Sequence, residues 1–540
     1  MLLPYPIFWG AWCFAELLFF CIVWLYVAPR MNRLEPPPKF PIRGKRLMTK
    51  VVKVVDWLST QADASFDFST FLGGWFLGTP TSELRRDNVV EFMAWAMYAK
   101  ETEDMSKSER KNVTDGVKMV ERRLGRTLEP GHNPEAVCIR HTLETVVPFS
   151  YRPLAFYAFL GVFRVVLGTV VLKALGFRRC LAPCGTFPYW YREAPPGAGS
   201  GEGANGSSGG SGSSPIVFFH GVSAGLLWYV LAIWRLCRGR TTVIVESPYI
   251  TMSLHLLLGH APPSETRLVE SVERIMERHG LRRATFFGHS FGSVCVAWMV
   301  RRRPKLVSQV ALLDPVCLLL FLPDVASSFL FPDKRDMSLP HKMVVNIVCK
   351  EMGIAHTLRR HFWWNTNTMW PEDIQCPVVV GLAGKDKLVP VRPLRRFLLS
   401  YPSLYSSTAS PGPNSSSSRW ARANTQSGNG DGQAKAKSKD NKPRIADNGS
   451  AAWGEQGGRG GGRSAITTGS PPTIFDDSGG EKDSCWSGSG AGGPPKRVEL
   501  VFWPRHGHGS ALADPGALKE FDRVCRRQEE AFAVEGFSKE

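Results

Sequence analysis

No CxxC pair occurs in this 540-residue chain, and its twelve cysteines are scattered from Cys13 to Cys525. That scatter excludes the dense disulfide framework of small secreted domains and leaves the thiols as reduced core residues. The His and Cys residues lack ligand-like spacing, so no metal and no other cofactor is expected. Zinc-finger, RNA-recognition and helix-turn-helix signatures are missing as well. Nucleic acid is therefore not an expected partner, although 66 Lys and Arg against 48 Asp and Glu leave a net charge of +18. A positive leader and a small-residue cleavage site are also lacking at the N-terminus, which argues against a cleaved signal peptide.

What is there begins with an apolar run. Residues Ile7 to Val27 carry a single charge, Glu16, over a length sufficient to cross a hydrocarbon core of about 30 Å. Basic residues follow it closely: Arg30, Arg33, Lys39, Arg43, Lys45, Arg46, Lys50 and Lys53 stand against the lone acid Glu35. This order predicts a transmembrane anchor over 1–29, the bulk of the chain on the cytosolic side, and a basic segment attracted to anionic headgroups. A second apolar run, Leu154 to Phe177, contains Arg164 and Lys173, so an interfacial or core-packed helix is expected rather than a second span. Residues 30–179 read as a basic juxtamembrane segment and a helical accessory region. Two Gly/Ser-rich stretches, 196–214 and 403–496, lack the apolar residues a core needs and read as disordered inserts.

From residue 180 short apolar runs alternate with helical segments: PIVFF at 215–219, TTVIVE at 241–246, ATFFG at 284–288, VSQVALLD at 307–314, CPVVVGLAG at 376–384 and RVELVFW at 497–503. Continuous apolar strands separated by helices predict an α/β fold with a mostly parallel sheet covered on both faces. The core is expected over 180–402, resuming over 497–540 after the long insert.

Three serines match G-x-S-x-G, and in a chain with 52 glycines the pattern alone is weak. Ser208 lies in the Gly/Ser insert with no strand before it. Ser223, in His220-Gly221-Val222-Ser223-Ala224-Gly225, follows an earlier strand. Ser290, in Gly288-His289-Ser290-Phe291-Gly292, directly follows ATFFG and opens the helical run SVCVAWMVRRR. That is the strand, sharp turn and helix a nucleophile elbow requires, and a helix N-terminus there favours developing negative charge.

With these elements in place the chain resembles an α/β-hydrolase over roughly 180–402 and 496–535. The motifs YRPLAFY, GHSFGS, LLDPVC, LPDV, GIAHTLRRHFWW and LAGKD further resemble a group of membrane-anchored α/β-hydrolase-like proteins of eukaryotic microbes. The resemblance implies Ser290 as nucleophile, with the backbone amides of Phe291 and Val222 stabilising the oxyanion. It also implies the chain order Ser, then acid, then His. Asp386 in GLAGKDKLVP and Asp314 in ALLDPV compete for the acid, and the glycine-containing loop after its strand favours Asp386. His508 and His506 compete for the base. His508 sits between two glycines after the last strand, and its 122-residue offset from Asp386 shrinks to 28 once the 94 insert residues are removed. The catalytic set is thus expected to be Ser290, Asp386 and His508.

Between residues 315 and 372 the sheet pattern pauses for an aromatic-rich helical segment where this family commonly inserts a cap. Phe321, Phe329, Phe331, Phe362, Trp363, Trp364 and Trp370 are its candidates for an acyl pocket, with cap-to-core packing as the plainer role; His356 and His361 read as structural. The expected activity is a membrane-anchored serine hydrolase acting on an apolar acyl or lipid-like substrate. The alternatives are an acyltransferase using the same three residues, although an HxxxxD signature is missing because Asp514 lies one position too far from His508, and a non-enzymatic hydrolase-fold scaffold at a membrane.

Overall fold

The computed structural model describes residues 5–61, 66–146, 149–164, 168–183, 185, 187–195, 213–331, 344–404 and 497–536. Both Gly/Ser-rich segments, with Ser208, fall almost wholly outside them, so their expected disorder lies outside the described residues. The described residues belong to one compact unit, Met1–Ser406 with Cys485–Glu540.

Eight strands form one sheet: β1 (Arg178–Leu181), β2 (Pro188–Arg192), β3 (Ile216–Phe219), β4 (Thr242–Val245), β5 (Ala284–His289), β6 (Val307–Leu313), β7 (Val378–Ala383) and β8 (Val498–Trp503). Their spatial order is β1-β2-β4-β3-β5-β6-β7-β8. From β4 to β8 every pairing is parallel, while β1–β2 and β2–β4 are antiparallel. Sequence patterning missed the two antiparallel strands, the edge strand β1 and its neighbour β2. β1 is Arg178-Arg179-Cys180-Leu181 and largely exposed, so it lacks the apolar run that marks β3, β5 and β7, each buried along its whole length.

Alternation along the strands divides the core between the two faces. Val217, Phe219 and Phe286 point to one side, Ile216, Phe218 and Phe287 to the other. The second side is covered by α8 (Val230–Leu236) and α15 (Pro515–Gly536). The first is covered by α9 (Glu265–Arg278), α10 (Gly292–Arg302) and α14 (Val391–Ser400).

That first core does not end at the α/β unit. It continues into α2 (Gly44–Ser59), α3 (Phe68–Gly74), α4 (Arg86–Tyr98) and α5 (Lys107–Leu124), whose apolar faces join the same cluster. The boundaries of α5 show how local sequence sets these helices. Ser106 and Glu109 form a reciprocal capping box at its start, and Gly125, at φ +67°, ends it. Of the basic segment, Lys50 pairs with Glu372 at 3.2 Å, so that residue is tied to the hydrolase-like core rather than free.

Residues Pro6–Met31 form a single helix, α1, long and apolar enough to cross a membrane. Phe19, Val23, Val27, Ala28 and Met31 pack against Val146, Phe149, Tyr157, Met352 and Ala355, while Phe14, Leu17 and Leu25 are more than 60% exposed. The second apolar run contains α6 (Leu154–Val162) and α7 (Gly168–Ala174). Glu16, the one charge within the apolar run of α1, accepts the backbone N–H groups of Leu154 and Ala155 at 2.8 Å each, the first amides of α6. The segment over the C-terminal ends of the strands comprises α11 (Pro323–Leu330), α12 (Met352–Arg360) and α13 (Trp364–Asn367).

Candidate active site

Ser290 stands at the end of β5, between strand and α10, at φ +50°. A side chain rarely holds that left-handed conformation, and it persists only where surroundings over-determine it. Here they do: the Ser290 amide donates to Leu313 O at 3.1 Å, and Ser293 Oγ donates to Ser290 O at 2.6 Å. Ser293 Oγ also accepts from the Val316 and Cys317 amides, tying the turn to the segment after β6. Gly292 is obligatory at this corner, because a Cβ there would collide with the Phe219 carbonyl.

Residues far along the chain complete the arrangement. His508 Nε2 lies 2.9 Å from Ser290 Oγ, and His508 Nδ1 lies 2.6 Å from Asp386 Oδ2. Asp386 is held by the Leu388 and Val389 amides, which donate to its other oxygen at 2.7 and 3.1 Å. The structure therefore brings Ser290, His508 and Asp386 together. His506 turns away to pair with Asp514 at 2.9 Å, and among the described residues Ser223 Oγ engages only Gly225 of its own loop.

Asp314, the competing acid candidate, takes a different place. It is fully buried, and its two oxygens accept the Ala383 amide at 2.8 Å and the Gly509 amide at 2.7 Å. It thereby grips the loop that carries His508. Ligand atoms of Asp314, Asp386 and His508 lie within 4.8 Å of one another, a spacing that suits a cation. The hydrogen bonds just described already engage both carboxylates and the imidazole, so the cluster acts as a charge arrangement around His508.

Burial lowers the affinity of His508 for a proton, but the facing carboxylates, Asp386 first and then Asp314, outweigh it and raise the pKa above the ordinary imidazole value. Burial also pushes Asp314 up to about 6, with the Asp386 charge adding to it and His508 opposing it. His289, beside Ser290, is driven well below its usual value by burial, and then by His508 and His220. Only one of the two neighbouring imidazoles is thus suited to hold a proton.

The loop after β3 lies across the same corner. Tyr229 OH accepts the Gly221 amide at 2.8 Å and pairs with His289 Nδ1 at 2.9 Å, joining this loop to the elbow. Among the described residues the Val222 and Phe291 amides have no acceptor, and both residues border the cavity beside Ser290. Sequence reasoning missed Tyr229, since a tyrosine in LLWYVLAIW carries no local sign of a long-range bond.

That cavity is narrow, about 30 Å³, and its wall is almost wholly apolar. Of the aromatic candidates, Phe329, Phe362 and Trp364 line it, whereas Phe321, Phe331, Trp363 and Trp370 do not. Phe321 and Trp370 stack on each other 5.6 Å apart, and Trp363 lies by Phe40; these are packing roles. Sequence reasoning did not anticipate Trp75 and His141, which come to the wall from the N-terminal helical region.

Residues 215–343 match the family model described as the α/β-hydrolase fold. Over 102 residues the chain is 30% identical to the abhydrolase domain-containing protein abhd-5.2 of Caenorhabditis elegans, a stretch covering 19% of this chain and 23% of that protein. The match thus spans less than a quarter of the curated relative. Similar solved structures include a bacterial membrane phospholipase A, 16% identical over 45% of this chain and 83% of that one with a TM-score of 0.28. Another is the naproxen esterase of Bacillus subtilis, 13% identical over 41% and 79% of the two chains, again with a TM-score of 0.28. Likenesses at this level add nothing to the geometry of the site.

Proposed function

We propose that this chain, which belongs to the α/β-hydrolase superfamily, is a membrane-anchored serine hydrolase that cleaves a carboxylic ester or related acyl bond of an apolar, lipid-like substrate. The observation that carries the reading is the pair of hydrogen bonds on one imidazole, His508 Nε2 to Ser290 Oγ and His508 Nδ1 to Asp386 Oδ2. A serine hydroxyl is a weak nucleophile at neutral pH. A base at 2.9 Å can take its proton as the oxygen attacks the acyl carbon, and a carboxylate behind that base holds its tautomer and stabilises the imidazolium.

The steps then follow from the groups in place. Ser290 Oγ bonds to the carbonyl carbon, and the negative oxygen is met by the Val222 and Phe291 amides. His508 returns the proton to the departing alkoxide as the ester bond breaks, leaving an acyl-serine. Water, deprotonated by the same imidazole, attacks that acyl group and frees Ser290. The apolar cavity beside Ser290 suits the acyl chain, because it offers dispersion contacts and almost no hydrogen-bonding group.

Membrane anchoring is supported by α1, whose mean hydropathy reaches 2.0 while only 22% of it is buried. The basic residues that follow it favour a cytosolic catalytic unit beside anionic headgroups. The test is labelling of the detergent-solubilised full chain with a fluorophosphonate serine probe. Labelling lost in Ser290→Ala, sharply reduced in His508→Ala and kept in Ser223→Ala supports the proposal. A folded wild type that resists the probe, or labelling that follows Ser223, sinks it.

A further inference from the structure

A membrane helix that packs sideways on a folded unit carries that unit's surface into the membrane with it. From Phe19 to Met31, about 18 Å of helix, α1 lies against Val146, Phe149, Tyr157, Met352 and Ala355 and does not stand clear of the fold. Glu16 ties the same helix to the first amides of α6 at 2.8 Å each. Whatever surrounds α1 therefore also meets the surface beside it.

That surface is apolar on its outer side. Phe159 and Val162 of α6, Val170 of α7, and Trp228 and Leu258 on the loops after β3 and β4 are each more than half exposed. The elements that bear them are contiguous. Arg164, just past α6, donates to Thr251 O at 3.2 Å and lies against Gly225, where the turn carrying Trp228 begins. Leu172 of α7 packs with Leu226 and Tyr229 of that turn, and Leu254, Leu256 and Leu257 pack with α1 beside Leu258. Not one Asp or Glu occurs within 154–177, 220–245 or 247–264, the three stretches that build the face, whereas Lys173 and Arg178 next to it are exposed. Single exposed apolar side chains are ordinary, but a contiguous set without acids, adjoining an apolar helix, marks a surface that something other than water covers.

We infer that the face formed by α6, α7 and the turns bearing Trp228 and Leu258 is immersed in the bilayer beside α1, with Phe159, Val162 and Val170 among the acyl chains and Trp228 at the level of the headgroups. Lipid is the occupant because the face continues the apolar surface of α1, holds no acid for headgroup phosphates to repel, and is flanked by basic side chains that can reach them. The inference rests on the membrane-anchor reading above and goes beyond it: the catalytic unit is partly sunk in the membrane, where an anchor alone would leave it on a tether. Immersion also brings the bilayer to the site. The turn with Trp228 runs on from Val222, which borders the cavity at Ser290, and Tyr229 next to it holds the Gly221 amide at 2.8 Å. A substrate dissolved in the bilayer then meets the loop that borders this cavity without crossing bulk water.

The experiment reconstitutes the full chain in phosphatidylcholine vesicles in which part of the lipid carries a diazirine on its acyl chain, irradiates them, and maps the adducts by mass spectrometry of the digested protein. Adducts are expected in α1 and in 154–164, 168–174 and 225–229. Val137 and Leu399, apolar and exposed outside that face, should stay free of them. Phe159→Asp combined with Trp228→Asp should cut the adducts in those three segments about tenfold relative to α1, since a charge at acyl depth opposes immersion. Circular dichroism checks the fold of the double variant, and if that fold is lost the wild-type map decides. The readout needs no turnover, so it is independent of catalysis at Ser290. Adducts confined to α1 overturn the inference while leaving the anchor. Equal adducts at Val137 and Leu399, or a folded double variant with the wild-type pattern, also overturn it. A wild type without adducts in any segment, α1 included, removes the anchor reading as well.

Discussion

Asp314 Oδ2 accepts the Gly509 amide at 2.7 Å across 195 residues of sequence, so the carboxylate at the end of β6 holds the loop on which His508 stands. Two carboxylates therefore serve one imidazole: Asp386 bonds it directly, and Asp314 fixes the backbone beside it while adding negative charge. Asp314→Asn keeps the shape but turns one acceptor into a donor that faces the Gly509 N–H. Losing a hydrogen bond to a charged, buried group costs about 1.5–3 kcal/mol. We expect a ten- to hundredfold fall in kcat/KM with an unchanged fold, measured on a short-chain ester and by circular dichroism.

Asp386→Asn leaves His508 without its direct partner and exposes it to the wrong tautomer. For a carboxylate that holds the tautomer of a catalytic histidine, the fall should be on the order of 10⁴-fold in kcat. A deficit for Asp386→Asn that is no larger than that of Asp314→Asn would reverse the roles of the two acids.

Tyr229 OH binds the Gly221 amide and His289 at once, and so sets the distance between the loop bearing Val222 and the elbow bearing Ser290. Tyr229→Phe leaves a buried N–H without an acceptor, at a cost of about 1–3 kcal/mol. Because the amide of that loop bonds the substrate oxygen most strongly as charge develops on it, the loss should fall mainly on kcat, by about tenfold or more, with KM little changed. Steady-state kinetics on a single ester separate the two, and a rise in KM alone would place Tyr229 in binding instead.

Much of this arrangement was legible in the amino-acid sequence alone. β3, β5 and β7 stand out because strands buried on both faces must be apolar throughout, and the choice of Ser290 among three matching serines followed from the strand before it and the helix after it. What remained hidden is long-range or exposed. Arg178–Leu181 is an edge strand whose charged residues face solvent. Trp75 follows directly on a short helix, with no local sign that it reaches a cavity shared with the distant Ser290. The Asp314–Gly509 bond involves a backbone amide, which no residue pattern can mark. Aromatic candidates were half misplaced for the same reason: composition marks Phe331, Trp363 and Trp370 as apolar, but only packing decides which of them borders a void.

Glu16 gives the N-terminal apolar helix a separate test. Its two oxygens take the free amides at the start of α6, which explains how a carboxylate persists within the apolar run of α1. Glu16→Ala should lower stability by about 1–2 kcal/mol, as loss of a helix N-terminal acceptor does elsewhere. The mutant protein should still pellet with membranes, since the apolar length of α1 is unchanged. Thermal unfolding in detergent and membrane fractionation read the two effects; a mutant as stable as wild type would mean that α6 is held by its packing alone.

The pH dependence follows from the sign of the His508 shift. The imidazole acts as a base only when neutral, and the charges of Asp386 and Asp314 raise its pKa above the usual value of about 6.5. Activity should therefore fall on the acid side, as the pH drops through a midpoint above about 6.5. Asp314, pushed up to about 6 by burial, ionises in a neighbouring range, so the wild-type acid limb should contain two overlapping steps. Asp314→Asn removes one of those steps together with one of the charges that favour imidazolium, and the remaining step should move to lower pH. For stability the sign is the opposite: a raised histidine contributes stabilisation that is fully present below about pH 6.5 and disappears as the pH rises through the folded-state value. Profiles of kcat/KM against pH for wild type and Asp314→Asn decide the matter. An acid limb that stays in place or moves upward in the mutant would mean that Asp314 does not act on His508 through its charge, leaving only its grip on the Gly509 amide.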